Sequence, residues 1–183
     1  MADFTHSSRS AVTAYRAGKG SPRIVNLQES TAASTAVIAF GQVVSFDLTD
    51  TAAHRIVRCS TGSGAAPILS TSICGVSAEA STSDGSTTGL SNAANRRLSV
   101  YAADPDTEFR FPTKLVLTST LVGTGLELSW DSTLSIHHVS ANSTAGDLRV
   151  YITGIDPATV GDTGGYLFGR FFSTAVSPAV AAR

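Results

Sequence analysis

At 183 residues the chain has room for one domain with a sizeable core, and its length argues against a second independent one. A net charge of −1 and a pI near 6.4 argue against a nucleic-acid binder, which needs a basic footprint to neutralise phosphates. Hydrophobic residues make up 42% and charged residues only 15%, so the body folds but hides its surface behind something other than charge. Twenty-five Ser and 22 Thr, against two Lys, supply that cover. Low charge, abundant Thr and short apolar runs point to an all-β domain, in which alternate residues of each strand face water.

Residues 1 to 23 form a polar segment with little to bury, and Phe4, Val12 and Tyr15 are its scattered anchors. An extended N-terminal arm of this composition becomes ordered only when something ties it down. Residues 1 to 28 carry Arg9, Arg16, Lys19 and Arg23 against Asp3, four cations against one anion and so +3, which leaves −4 on the rest. A basic arm on an acidic body is steered towards an acidic partner surface. Phe4, Arg9, Tyr15, Arg16, Lys19 and Arg23 are therefore the expected partner-contact residues. No charged n-region followed by an apolar run opens the chain, and no run reaches membrane-spanning length, so the chain is expected to be made in a cytoplasm or to reach the outside without a conventional signal, with no membrane partner.

From Ile24 onward a single β domain is expected, covering residues 24–183. Strand-like runs occur at Ile24–Leu27, Ala36–Phe40, Val43–Leu48, Arg55–Cys59 and Ile73–Ala78, with Gly41, Asp50, Gly62-Ser63-Gly64 and Pro67 as punctuation. The Ser/Thr-rich stretch 81–89 holds no apolar residue and reads as an exposed or contact loop. Periodicity resumes at Leu98–Tyr101, Glu108–Phe111, Leu115–Leu117, Leu126–Trp130, Leu134–Val139, Leu148–Ile152 and Tyr166–Phe172. Leu126, Leu128 and Trp130 alternate strictly, the period-two signature of a half-buried strand. Gly123-Thr124-Gly125, Asn142–Asp147 and Gly161–Gly165 carry hairpin chemistry, so sequential antiparallel pairing is expected over 115–172. So many short strands exceed one small sheet and predict an antiparallel barrel or sandwich.

Catalytic patterns are weak. Gly75-Val76-Ser77-Ala78-Glu79 approaches a nucleophile elbow but ends in Glu and lacks a strand-turn-helix context, so a strand with Ser77 facing out is the better reading. Gly62–Pro67 resembles the start of a dinucleotide-binding loop but has Pro where the last glycine belongs. His137 and His138 are adjacent and point to opposite faces of a strand, which prevents joint chelation, and His6 and His54 are distant. Asp104-Pro105-Asp106 reads as a Pro-centred turn rather than a calcium loop. Cys59 and Cys74 lack metal or redox spacing and read as buried small hydrophobes. Asn142-Ser143-Thr144 matches a glycosylation sequon and is read as a turn. No enzyme, cofactor or metal centre is expected.

Gly41-Gln42-Val43-Val44-Ser45-Phe46-Asp47, Ile73-Cys74-Gly75-Val76-Ser77-Ala78 and Gly161-Asp162-Thr163-Gly164-Gly165-Tyr166 ahead of a closing aromatic strand resemble the capsid decoration, or cement, proteins of tailed bacteriophages. The resemblance spans about residues 24 to 172. It implies a small β-rich virion protein, often a homotrimer, on the outer surface of an icosahedral shell. There it would bind the major capsid protein and bridge capsomers against internal DNA pressure, after synthesis in the host cytoplasm. The competing expectation is a carbohydrate-binding or adhesin-like β domain using Trp130, Tyr101, Tyr151 and Tyr166, although Trp130 on an apolar face reads as core.

Overall fold

The computed structural model describes residues 11–17, 21–28, 38–47, 55–59, 72–80, 97–131, 134–141, 148–162 and 164–177. They form eleven strands: β1 (Thr13–Ala17), β2 (Ile24–Gln28), β3 (Val43–Phe46), β4 (Ile56–Arg58), β5 (Ile73–Ser77), β6 (Arg97–Ala102), β7 (Thr107–Pro112), β8 (Gly125–Asp131), β9 (Ile136–Ser140), β10 (Leu148–Ile155) and β11 (Tyr166–Phe171). A six-stranded antiparallel sheet runs β1-β7-β11-β10-β8-β9, and a five-stranded one runs β2-β6-β5-β3-β4. The two pack together as a sandwich around one apolar core.

Alternation explains the packing. Leu126, Leu128 and Trp130 of β8 are buried, with Leu128 opposite Val139 and Trp130 opposite His137 of β9. Leu167 and Phe171 of β11 face the same way, opposite Phe111 of β7 and Val150 of β10. Phe109, Phe111 and Phe171 form an aromatic centre with ring centroids 5.3 to 6.1 Å apart. The second sheet contributes Val44, Ile73, Leu98, Val100 and Ala102, all essentially inaccessible. Each such Leu, Ile or Phe contributes about 1.5–3 kcal/mol relative to exposure.

Two crossings lock the layers. Asp104-Pro105-Asp106 carries the chain from β6 in one sheet to β7 in the other, and the Asp104 Oδ1 accepts from Asp106 N at 3.2 Å and Thr107 Oγ1 at 2.7 Å. The turn expected there is present. After β11, Val176 pairs with Ile73, so the segment leaving the first sheet straps onto the second. Thr113, just beyond β7, bridges Val139 and donates its hydroxyl to the Val139 carbonyl at 2.8 Å. The six-stranded sheet thereby curls until β9 meets the end of β7.

Several expected elements differ. Ile38–Phe40 ends in a turn instead of a strand, because Ser77 and Gln42 hold it: Ala39 O accepts from Ser77 Oγ, and Ala39 N donates to Gln42 Oε1 at 3.0 Å. Residues 115–117 are irregular, with backbone bonds to Gly161, Asp162 and Gly164. Sequential pairing holds for β8–β9 and β10–β11, but β10 pairs with β8 and leaves β9 at the edge. Thr13–Ala17, inside the segment expected as an arm, is an edge strand against β7. The stretches 60–71, 81–89 and 142–147, with the loops and sequon expected on them, lie outside the described residues.

Candidate interaction face

β1 reaches the body because Val12 is buried in the core and its N–H donates to Gly41 O at 3.1 Å. Gly41 has φ +73°, and a Cβ there would lie 2.7 Å from Val12 O and overlap Ala11. Glycine permits the close approach. A register shift between Ala14 and Arg16 then turns Tyr15 onto the outer surface of the six-stranded sheet. Its ring stacks on Phe168 of β11 at a centroid distance of 4.1 Å and an interplanar angle of 25°. Tyr15 remains 52% exposed.

Around this pair the outward positions of β7 and β11 bring Arg110, Tyr166, Phe168 and Arg170 onto one face, since residues two apart share a side. The Arg110 guanidinium lies 3.5 Å from the Tyr166 ring centroid and donates to Asp156 at 2.5 Å. Asp156 also accepts from Ala158 N at 3.1 Å, which fixes its carboxylate at the start of the 3-10 turn Pro157–Thr159. Glu108 lies beneath the face, 1% exposed, and accepts from Arg16 Nε of β1 and from Thr153 Oγ1 of β10. Arg170 donates from Nη1 to Pro105 O at 3.1 Å. Glu108 is buried and Asp156 half-buried, each less exposed than the guanidinium group paired with it.

Tyr15 and Arg16 therefore lie on a sheet face, where the structure gathers them with Arg110, Tyr166, Phe168 and Arg170. Arg23 lies elsewhere, just before β2; its carbonyl accepts from Ala102 N, and its Nε is 3.8 Å from Asp104. Phe4, Arg9 and Lys19 lie outside the described residues. Tyr166–Phe172 reads from sequence as one closing aromatic strand with Tyr166 as a binding candidate, which leaves Phe168 and Arg170 unrecognised. The signal was the alternation of Tyr166, Phe168 and Arg170 with Leu167, Gly169 and Phe171.

Other candidate chemistry is absorbed by structure. Ser77 lies on a strand as expected but is buried, not outward; its hydroxyl accepts from Gln42 N at 3.1 Å and donates to Ala39 O. His137 points into the core and His138 to the other face of β9. Burial lowers the His137 pKa from 6.5 to about 3, against an opposing hydrogen bond to Cys59 O. Cys59 and Cys74 are buried and not joined in a disulfide; burial, and secondarily the neighbouring Cys59, pushes the Cys74 thiol up. Among the described residues no group of three His, Cys, Asp or Glu side chains converges on a metal-sized site. His6 and His54 lie outside them. A cavity of about 30 Å³ lined by Ala103, Pro105, Phe171, Ser173 and Val176 has room for about one water. No helix among the described residues is long and apolar enough to cross a membrane.

The glycan platforms fare unequally. Trp130 is 5% exposed, packed against His137 with Arg58 over its ring at 4.2 Å. Tyr166 carries Arg110 on its face, and Tyr101 packs on the core. Tyr151, 42% exposed, stands edge-on to Phe172.

No protein-family model, curated protein or solved structure matches this chain.

Proposed function

We propose that the chain is a structural adhesive protein of the virion, a capsid decoration protein that binds the outer surface of an icosahedral shell and cements neighbouring copies of the major capsid protein. The observation that carries this reading is the outer face of the six-stranded sheet, where Tyr15, Phe168, Tyr166, Arg110 and Arg16 are held on rigid strands. Aromatic and arginine side chains in pre-set positions are the composition of binding hot spots, because they give contact area at low entropic cost. The sequence resemblance supplies the partner class. A homotrimer on a symmetric lattice would add weak contacts through effective concentration.

Glycan binding would need a flat, open aromatic platform. With Trp130 buried, Tyr166 covered by Arg110 and Tyr101 packed on the core, that alternative is left with Tyr151.

Co-sedimentation of the protein with virus-sized particles, quantified per particle, tests the reading. Hundreds of copies per particle are expected. Absence of any particle-bound protein would sink it, and sugar-competable binding on a glycan array would put the alternative in its place.

A further inference from the structure

We propose that the Arg16–Arg110–Arg170 face is a docking surface for an acidic protein surface, with carboxylates of the partner seated on guanidinium groups that acceptors within the chain have already oriented. The inference rests on the adhesive reading above and specifies the chemistry of its partner. Its basis is the asymmetry of the ion pairs. Arg16 is 65% exposed over a Glu108 that is 1% exposed, and the Arg110 side chain is 36% exposed over an Asp156 at 14%. The carboxylates neutralise the net charge from below, while the positive ends face outward.

Donor capacity remains on that outward side. Arg16 spends Nε on Glu108 and Arg110 spends one terminal nitrogen on Asp156, so further N–H groups of both are unengaged among the described residues. Arg170 spends Nη1 on Pro105 O, and its buried Nε has no partner. A guanidinium fork matches a carboxylate in two parallel hydrogen bonds, and fixing the fork beforehand removes part of the entropy of binding. Tyr15 and Phe168 add an apolar contact beside it.

Single-stranded nucleic acid also combines anions with stackable rings. It is disfavoured because the chain as a whole is slightly acidic and lacks the extended basic footprint that a phosphate backbone needs.

The test is titration of the isotope-labelled full chain with a synthetic peptide of alternating Asp and Tyr, followed by NMR. A Lys/Tyr peptide and a single-stranded DNA of equal charge to the acidic peptide serve as the other probes. Expected are shifts clustered on β1, β7 and β11, an affinity that falls with added salt, and a loss of about tenfold in R110Q/R170Q. Arg170→Gln alone, which touches only a backbone carbonyl, should show a smaller loss and keeps the test decisive if the double variant unfolds. Shifts elsewhere, equal binding of the Lys/Tyr peptide, or tighter binding of DNA would overturn the proposal. Unchanged particle binding by a folded R110Q/R170Q would remove this face from the coat contact while leaving the virion reading intact. Peptide binding without particle binding would do the reverse.

Discussion

His137 accepts the backbone N–H of Val43 through Nδ1 at 3.0 Å, so β9 of one sheet is bonded to β3 of the other. An N–H donor aimed at Nδ1 requires a lone pair there, which places the ring proton on Nε2. Nε2 then donates to Cys59 O at 2.6 Å. Gln42, next in sequence to Val43, donates from Nε2 to Ser135 O at 3.1 Å, a second polar tie between the layers. A packed apolar interior tolerates many sheet offsets, whereas buried donors and acceptors must meet particular partners.

The ring is wholly buried and neutral, which makes stability fall in acid. Its folded pKa is about 3 against an ordinary 6.5, so the unfolded chain binds more protons between those values. The His137 contribution is therefore complete above about pH 6.5 and is lost as pH falls towards 3, roughly 3 kcal/mol being gone by pH 4. Urea unfolding at pH 7 and pH 4 measures it, with Trp130, the one tryptophan and 4.8 Å from the His137 ring, as the fluorescent reporter. In His137→Phe the pH 7 stability should drop by about 2–4 kcal/mol, because Val43 N–H and Cys59 O are stranded, and the acid slope should shrink. An unchanged slope would show that other groups govern acid unfolding.

Much of the fold was legible, and its limits are physical. Leu126, Leu128 and Trp130 announce β8 because the apolar core takes every second residue, whatever covers the other face; β6, β7 and β11 are readable for the same reason. Thr13–Ala17 escaped because an edge strand can be held by Val12 and one ion pair without an apolar run of its own. The candidate face was legible in Tyr15 and Arg16 and, as a binding aromatic of another kind, in Tyr166. Its other members depend on which strands become neighbours: Arg16 meets Glu108 across 92 positions, and no local pattern encodes that pairing.

Arg16→Ala should destabilise the protein more than an exposed arginine ordinarily would. It leaves Glu108, 1% exposed, with Thr153 Oγ1 as its remaining hydrogen-bond donor among the described residues. An unpaired buried carboxylate costs about 1–3 kcal/mol. Glu108→Gln in the same chain should recover part of that loss, since an amide has less charge to solvate. Chemical denaturation of the two single variants and the double variant gives the coupling, and additive losses would mean that the pair carries no interaction energy.

Truncation should separate the segment before β1 from β1 itself. Removing residues 1–10 leaves Val12 and β1 in place, so its difference from a longer deletion isolates what β1 contributes. Removing residues 1–23 also takes Val12 from the core and β1 from Phe109 and Phe168, and should lower stability by several kcal/mol. A loss of binding in the longer deletion therefore reports on folding as well as contact. Melting curves of both truncations check this, and equal stability of the two would mean that β1 contributes nothing to the body.

Gly41 and Gly161 together distinguish backbone strain from steric exclusion. Both have positive φ, +73° and +86°, so alanine pays the left-handed penalty of about 1–2 kcal/mol at either site. At Gly161 a Cβ would meet nothing within 4 Å, and the cost should stop there. At Gly41 it would overlap Ala11 and press on Val12 O, both backbone-anchored, on the segment that delivers β1 to the sheet. Gly41→Ala should therefore also break the Val12 N to Gly41 O hydrogen bond and weaken the seat of Tyr15 on Phe168. Hydrogen exchange resolves the two effects: amides of β1 should lose protection in Gly41→Ala and keep it in Gly161→Ala. Equal protection in both variants would mean that β1 is held by Arg16 and Glu108 and not by the passage over Gly41.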